Sequence, residues 1–257
     1  MDAQEDSASP SSTTSSFDDN HQTRRRICAS GCDRPVNVCL CHTLPRYPLP
    51  TSTKIVILHH PHERRHKLAT VPLLSKCLRN CEIVVGRKLK YGDSKLLDSL
   101  YDQACGNPNW PRWRFLYLFP GLEALPLAEI KKRKSSLDDD DMNGHVLVAF
   151  DGTWKHAKEM VLASLPFLSK FSLQVCLNFD PAVDGGTIYD SDLILRKEPF
   201  DGCMSTMEAV ARSLRVLDPN GIEIESRIID VLRAMVGFQS CFLKPTKPRM
   251  KLKKAKG

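Results

Sequence analysis

The 257-residue sequence predicts an α/β fold: a largely parallel sheet with helices on both faces, preceded by a small cysteine-rich zinc knuckle. Short, continuously apolar runs alternate with segments of helical period, which is typical of parallel strands buried on both faces. At residues 145–160 the period changes from one kind to the other across a single polar turn. Four cysteines within fourteen residues precede the first apolar run, and they predict the knuckle.

Five apolar runs predict strands, at residues 53–59, 82–85, 114–119, 146–150 and 172–179. Apolar side chains three and four positions apart predict helices at residues 68–78, 94–105, 154–168, 205–217 and 223–242. Residues 122–144 show no such pattern, and their KKRK and DDDD blocks nearly cancel in charge. We therefore expect a solvated insertion there.

The two ends of the chain differ from its middle. Residues 1–26 are rich in Ser, Thr, Asp and Gln and predict a disordered segment, and residues 27–50 hold the knuckle. Residues 51–243, with most of the apolar content, predict one main domain. The tail, residues 244–257, has seven Lys and Arg and no acid. Its charge of +7 equals the formal net charge of the whole chain. Such a tail fits binding to nucleic-acid phosphates, nuclear import or simple solvation.

Composition also limits the cell compartment. No apolar run reaches eighteen residues, so we expect no membrane span. The polar N-terminus, MDAQEDSASPSSTTSS, does not resemble a secretory signal. The prediction is therefore the cytoplasm and/or nucleus, where the ten cysteines are thiols or metal ligands rather than disulfides.

The four clustered cysteines predict a structural zinc site. Cys28, Cys32, Cys39 and Cys41 are spaced C-x3-C and C-x-C, and four thiolates complete a tetrahedral zinc shell. His42 is a fifth candidate that would replace Cys41. The alternative is a set of small buried side chains. We expect the other six cysteines, which are scattered, to belong to the core.

Residues 62–66 spell H-E-x-x-H, the zinc-protease pentapeptide. That motif needs a long helix with an apolar flank, whereas here Pro61 stands just before it and Arg64 and Arg65 fill its variable positions. We therefore predict a loop at the carboxyl end of the first strand that carries ligand-facing or phosphate-facing residues, with Arg64 and Arg65 as candidates for binding RNA phosphates.

Asp151 follows the apolar run at residues 146–150 and stands beside Gly152. Ligands of open α/β sheets bind at the carboxyl ends of strands, so this turn is a candidate site. Thr153 is the predicted N-cap of the next helix. The simpler interpretation is an ordinary turn, with Trp154 in the core.

Several motifs in order resemble the DTW-domain family, named for Asp-x-Thr-Trp. They are Asp151-Gly152-Thr153-Trp154 with Ala157 and Met160, LILRKEP at 193–199, STMEA at 205–209, and an H-P-x-E loop at His60, Pro61 and Glu63. This family resembles the SPOUT class of S-adenosylmethionine-dependent enzymes and includes tRNA-uridine aminocarboxypropyltransferases. The resemblance implies that residues 51–243 are a DTW catalytic domain with a SPOUT-like fold and a deep trefoil knot.

The resemblance also implies a reaction: transfer of the 3-amino-3-carboxypropyl group of S-adenosylmethionine to N3 of a tRNA uridine, leaving 5′-methylthioadenosine. The imide nitrogen must lose a proton, so Asp151 is the predicted general base, or else it orients the substrate. Arg196 and the helix start at Ser205 and Thr206 are candidates for the donor carboxylate. Trp154 is placed either against a base or in the core.

No G-x-G-x-x-G or P-loop motif occurs, so the expected pocket is built from strand ends. Its predicted cofactor-binding residues are Phe119, Pro120, Gly121, Phe150, Gly152, Thr153, Trp154, Arg196, Ser205 and Thr206. The predicted tRNA-binding residues are Arg64, Arg65, Lys251, Lys253 and Lys254.

Three other functions stay open. The chain could transfer the same group to ribosomal RNA, or it could methylate RNA with the same cofactor. A zinc-containing module that binds RNA without turnover is the non-enzymatic alternative. The oligomeric state is also open, because the apolar last helix suits either a core or an interface.

Overall fold

A computed structural model of the chain describes residues 26–66, 69–136, 144–177 and 204–241. Six described strands form one sheet: β1 (Lys54–His59), β2 (Cys81–Val85), β3 (Phe115–Leu118), β4 (Leu125–Pro126), β5 (Val146–Asp151) and β6 (Leu173–Cys176). Their order across the sheet is β2-β1-β5-β3-β6-β4, and every neighbouring pair is parallel. The predicted parallel sheet is therefore confirmed.

Helices cover both faces of this sheet. The described helices are α1 (Val71–Cys77), α2 (Lys95–Cys105), α3 (Leu127–Ser136), α4 (Trp154–Leu168), α5 (Thr206–Leu217) and α6 (Gly221–Ser240). Buried side chains of α1, α3, α5 and α6 form one core, and those of α2 and α4 form the other. The predicted two-sided α/β architecture is confirmed.

Strand β5 lies at the centre, and all six of its residues are buried. Leu147 and Ala149 face the core of α1, α3, α5 and α6, whereas Val146, Val148 and Phe150 face the core of α2 and α4. This alternation follows from the strand period of two. Because both faces are covered, the strand is continuously apolar, which is the pattern seen in the sequence.

Side-chain caps start the two helices nearest the carboxyl ends of the strands. The Thr153 hydroxyl accepts a hydrogen bond from the backbone N–H of His156 at 3.3 Å, which confirms the predicted N-cap of α4. The Ser205 hydroxyl likewise accepts from the N–H of Glu208 at 3.2 Å at the start of α5. Both caps satisfy backbone donors that a helix cannot pair internally.

The prediction of a solvated insertion at residues 122–144 was wrong. Strand β4 and helix α3 occupy its first part, and Leu127 and Ile130 are buried at 2% and 0% exposure. The two apolar positions, three residues apart, were hidden by the charged blocks around them. Residues 137–143 lie outside the described residues. The prediction that the scattered cysteines are core was also wrong for Cys105 and Cys241, which are exposed.

The cysteine-rich segment packs against the main fold. Leu40 is fully buried in the core that also contains α6, and the His42 ring contacts Phe238 of α6 edge-on, with centroids 6.1 Å apart. Lys76 of α1 forms an ion pair with Asp33 at 2.9 Å. This segment therefore shares a core with the sheet.

A buried carboxylate joins the start of β1 to the end of α5. Asp218 Oδ2 accepts hydrogen bonds from the Ser52 N–H at 2.8 Å, the Ser52 hydroxyl at 2.9 Å and the Thr53 N–H at 3.2 Å. Asp218 is 8% exposed. Residues 166 positions apart are thus held together just before the first strand begins.

Several sequence predictions fall outside the described residues. These are the segment 1–25, the stretch 178–203 that the predicted knot would involve, and residues 242–257, which include the whole basic tail. The knot and the domain boundaries therefore stay predictions. In the part of the chain that is described, every helix is too short or too polar to cross a membrane.

Candidate active site and cysteine cluster

Two side chains meet at the carboxyl ends of the central strands. His59 ends β1 and Asp151 ends β5, and the two residues are partners in the parallel register. His59 Nδ1 lies 2.6 Å from Asp151 Oδ2, and the side chains are only 4% and 12% exposed. Their backbones continue the pairing, since the His60 N–H donates to the Asp151 carbonyl at 2.9 Å.

A second donor approaches the other oxygen of this carboxylate. The Thr206 hydroxyl, in the first turn of α5, donates to Asp151 Oδ1 at 2.6 Å. The Ser205 cap fixes this turn, and Ser205 is 5% exposed. The Asp151 side chain is therefore oriented by β1 on one side and by α5 on the other.

The arrangement suits an ionised carboxylate, which only accepts hydrogen bonds. With Asp151 ionised, His59 carries its proton on Nδ1 and donates it to Oδ2. Each carboxylate oxygen has two lone-pair directions, so the bonds from His59 and Thr206 leave acceptor capacity for a ligand. Chemically, such a group can receive a proton from an N–H that is placed against it.

Two aromatic rings contact each other near the carboxyl ends of β3 and β5. Phe119 follows β3 and Trp154 begins α4; their ring centroids are 6.1 Å apart, and both residues are half-buried. The Phe119 carbonyl accepts a bond from Gln174 Nε2 at 2.9 Å, and the Tyr117 hydroxyl donates to Gln174 Oε1 at 3.1 Å. Gln174 thereby holds the backbone of the β3 loop. The partly open Trp154 leaves a surface on which a flat ring can stack.

Gly152 is required by close packing at the turn. A Cβ added there would lie 3.1 Å from Cβ of His156, 3.2 Å from Cε of Met160 and 3.5 Å from Cβ of His60. The first two distances are shorter than ordinary van der Waals contacts. The glycine therefore lets the turn after β5 lie close against side chains of α4.

The other predicted site residues fall into distinct environments. Three of them are exposed at the ends of β3 and β5: Pro120, Gly121 and Thr153. The Phe150 side chain is buried in the core of α2 and α4, so only its backbone could contact a ligand. Arg64 is exposed. The described part of the chain does not include Arg196, the side chain of Arg65, or Lys251, Lys253 and Lys254. Their roles stay predictions.

Three histidines gather next to the turn. The rings of His60 and His156 are stacked, with centroids 4.0 Å apart, and His62 lies edge-on to both. The pKa of His60 is lowered, first by burial and then by His156, His62 and Arg87, against an opposing effect of Glu63. The predicted loop after the first strand is confirmed, since residues Glu63–Arg65 form only a 3-10 turn and not the long helix that the H-E-x-x-H motif needs.

Neither His59 nor His156 was predicted from the sequence as a site residue. His59 looked like the last residue of a buried strand, and its partner Asp151 lies 92 positions later. A usable signal was present: the predicted strand at residues 53–59 ends at His59, and Asp151 directly follows the predicted strand at residues 146–150. Parallel strands bring such ends to one edge of the sheet.

The four predicted cysteines form a compact cluster. Cys28 Sγ lies 3.3 Å from that of Cys39 and 3.6 Å from that of Cys41, and Cys32 Sγ lies 3.7 Å from that of Cys39. All four sulfurs lie within 4.8 Å of one another. A tetrahedral zinc with bonds of about 2.3 Å separates its sulfurs by about 3.8 Å. The four thiols therefore fit one such ion, and His42, which packs on Phe238, is not needed.

Comparisons with known proteins agree with these motifs. A family model described as DTW domain matches residues 25–240. A tRNA-uridine aminocarboxypropyltransferase A of Arabidopsis thaliana is 48% identical over 239 residues, which cover 90% of this chain and 87% of the relative. A tRNA-uridine aminocarboxypropyltransferase 2 of Drosophila melanogaster is 32% identical, covering 84% of this chain and 76% of the relative.

A further relative extends the comparison to mammals. A tRNA-uridine aminocarboxypropyltransferase 2 of Macaca fascicularis is 31% identical over 84% of this chain, which corresponds to 64% of that longer protein. No solved structure matches the chain. The family model covers the cysteine cluster, the Asp151 turn and all six described helices, and the family predicted from the sequence is confirmed. The chain belongs to the DTW domain family.

Proposed function

We propose that this protein transfers the 3-amino-3-carboxypropyl group of S-adenosylmethionine to N3 of a uridine in tRNA. The products are 3-(3-amino-3-carboxypropyl)uridine and 5′-methylthioadenosine. The observation that carries the proposal is the carboxylate of Asp151, held between His59 and Thr206 at the carboxyl ends of the central strands. The names of relatives that align over at least 84% of this chain support the same reaction.

The reaction needs one proton transfer and one bond exchange. Asp151 takes the N3 proton of uracil, and the freed electron pair of N3 forms a bond to the γ-carbon of the donor. The bond from that carbon to sulfur breaks, and its electron pair neutralises the sulfonium. A positioned general base contributes roughly 100- to 10,000-fold to such a step.

His59 and Thr206 keep the base in one orientation. Each donates to a different oxygen of Asp151, so the carboxylate cannot turn away from a bound uracil. Attack on the γ-carbon, rather than on the methyl carbon of the same sulfonium, depends on which carbon is held in line with N3. Fixed geometry at Asp151 is therefore part of the selectivity of the reaction.

The remaining parts of the donor have chemically suitable neighbours. The N-terminus of α5, which spans twelve residues, presents backbone N–H groups and the positive end of a helix dipole for the donor carboxylate. The half-buried Trp154, with Phe119 beside it, is suited to an adenine ring. We propose that Gly121, Gly152 and the exposed Thr153 also line the donor site, and that Arg196, which belongs to the undescribed stretch, binds the donor carboxylate.

We further propose that the four-cysteine cluster holds a structural Zn²⁺, because its sulfur distances fit a tetrahedral shell. The tRNA would be held by arginines near the site, including Arg64, and by the lysine-rich tail. The reducing cytoplasm and/or nucleus, which the thiols favour, is where such an enzyme would meet its tRNA.

The test is incubation of the purified full chain with unmodified tRNA and S-adenosylmethionine, followed by mass analysis of the small-molecule product and of the digested nucleosides. We expect methylthioadenosine and a uridine heavier by one aminocarboxypropyl group. S-adenosylhomocysteine with a methylated base would instead establish a methyltransferase and overturn the proposal. Transfer to ribosomal RNA but not to tRNA would overturn only the proposed acceptor.

A further inference from the structure

Three histidines from two separate loops converge near the Asp151 turn. His60 and His62 belong to the loop after β1, and His156 lies in the first turn of α4, after β5. They meet because β1 and β5 are neighbouring parallel strands. Each of the three offers one ring nitrogen, and these nitrogens all lie within 4.8 Å of one another.

Within the described chain, one ring nitrogen of the cluster has no partner, and a second has only a long hydrogen bond. His156 Nδ1 is buried and has no hydrogen-bond partner among the described residues. The backbone N–H of His62 donates to His60 Nδ1 at 3.3 Å, so that nitrogen is unprotonated and its only described bond is long. A buried ring nitrogen without a partner is unfavourable in a folded protein, and a bound cation would remove that cost.

We propose that His60, His62 and His156 bind one divalent transition-metal ion of the Zn²⁺ type, at a site separate from the four cysteines. Neutral imidazole is a preferred ligand of such ions, whereas Mg²⁺ and Ca²⁺ prefer oxygen ligands. Three protein ligands leave a coordination position open for water or for an oxygen of a bound molecule. The site differs in ligand type from the cluster of Cys28, Cys32, Cys39 and Cys41. Those four thiolates would fill every coordination position of a tetrahedral metal ion.

Binding requires a small rearrangement of the rings. Those of His60 and His156 are nearly parallel, at 11°, and a metal must lie close to the plane of every imidazole that binds it. With bonds of about 2.1 Å, tetrahedral ligand nitrogens stand about 3.4 Å apart. Rotation of the rings about Cβ–Cγ, which is a broad torsion in histidine, brings the lone pairs together. His62 is exposed and moves without disturbing the core.

The test counts metal ions on the tag-free, full-length protein. The chain is stripped with chelator under reducing conditions and titrated with Co²⁺, followed by calorimetry and absorbance. The first cobalt ion should show the thiolate charge-transfer band of the cysteine cluster. A second should then add visible bands without more charge transfer. We expect two equivalents for the unchanged protein.

Substitutions test whether the second cobalt ion binds to the three histidines. His62→Ala and His156→Ala should each weaken the second binding step by at least about tenfold, a loss no smaller than that seen on removing an indirect partner of a metal site. The cysteine band should stay as it was. His66→Ala is the matched control, because it removes an exposed histidine of the same loop that lies outside the cluster, and it should keep both equivalents.

Two results would overturn the proposal: a single equivalent in the unchanged protein, or a second equivalent that survives both His62→Ala and His156→Ala. Because His62 is exposed, its variant is expected to fold, and circular dichroism checks this. The readout is metal stoichiometry. It therefore stands apart from the proposed transfer reaction, and either one can fail while the other holds.

Discussion

His59 and Asp151 lie at the same register position of two neighbouring strands, and their side chains form a 2.6 Å hydrogen bond between the ends of those strands. The geometry of the sheet itself thus sets the separation of the pair. Strands pack rigidly and loops do not, so a carboxylate placed in this way keeps its orientation when the surrounding loops move.

Asp151→Asn should lower the transfer rate by about 100- to 10,000-fold, because the amide has a similar shape but does not accept a proton. Binding of S-adenosylmethionine, measured by calorimetry, should persist. Asp230→Asn, on an exposed part of α6, is the control and should be fully active. If Asp151→Asn were as active as the unchanged protein, Asp151 would be limited to a structural role.

Thr206→Val should lower kcat by about 10- to 100-fold while leaving KM for tRNA nearly constant. Valine has almost the same shape as threonine but lacks the hydroxyl that donates to Asp151 Oδ1, and a bond to a charged group is worth about 1.5–3 kcal/mol. Thr206→Ser keeps the hydroxyl and should restore most of the rate. Equal loss in both variants would mean that packing, rather than the hydrogen bond, matters at this position.

The sequence was informative where one physical signal dominated. Apolar period predicted β5 and α4 almost to the residue, since a strand covered on both faces and an amphipathic helix each have a distinct pattern. Clustered thiols predicted the Cys28 to Cys41 group, because few other structures need four of them so close together.

Other features depend on contacts that no local pattern contains. Helix α3 was not predicted, because the two buried apolar side chains near its start, Leu127 and Ile130, stand among charged residues. The partnership of His59 with Asp151 needs the strand order, which places β5 beside β1 although three strands separate them in the chain. For the same reason His156 could not be joined to His60 before the sheet was known.

Cys39→Ala should lower the zinc content by one atom per chain and lower Tm by at least about 5 °C, since a loss of 1 kcal/mol shifts Tm by about 2–4 °C in a chain of this size. The coupling to global stability arises because Leu40, the next residue, is fully buried in the main core. Metal analysis and calorimetric melting measure the two effects.

Cys105→Ala is the matched control for the cluster, since Cys105 is an exposed thiol outside it. It should leave both zinc content and Tm unchanged. Full zinc content in the Cys39→Ala protein would mean that these cysteines pack as small side chains and do not bind the zinc.

Asp218→Ala should destabilise the protein by about 2–4 kcal/mol. It removes the single oxygen that accepts three hydrogen bonds from Ser52 and Thr53, and Thr53 is fully buried. Urea unfolding monitored by circular dichroism measures the change. Asp230→Ala, which breaks an exposed 3.5 Å pair with Arg233, should have no measurable effect; comparable losses in the two variants would contradict the role given to Asp218.

Deletion of residues 244–257 should weaken tRNA binding and flatten its dependence on salt. Each lysine or arginine that neutralises a phosphate releases counterions, so removing seven cations lowers the slope of the logarithm of affinity against the logarithm of salt. A tail of equal length with glutamine at the seven positions separates charge from length. An unchanged slope in both variants would restrict the tail to localisation.

The strand order has a consequence for synthesis on the ribosome. Strand β3 has β5 and β6 as its neighbours, and both follow it in the chain, while β5 fills the gap between β1 and β3. A nascent chain can pair β1 with β2 early, but it cannot close the centre of the sheet until Asp151 has emerged. Such late, long-range pairing slows folding and leaves apolar strands open to aggregation meanwhile. The His59–Asp151 pair therefore forms only when β5 enters the sheet, and a chain truncated before β5 has neither the closed centre of the sheet nor the pair.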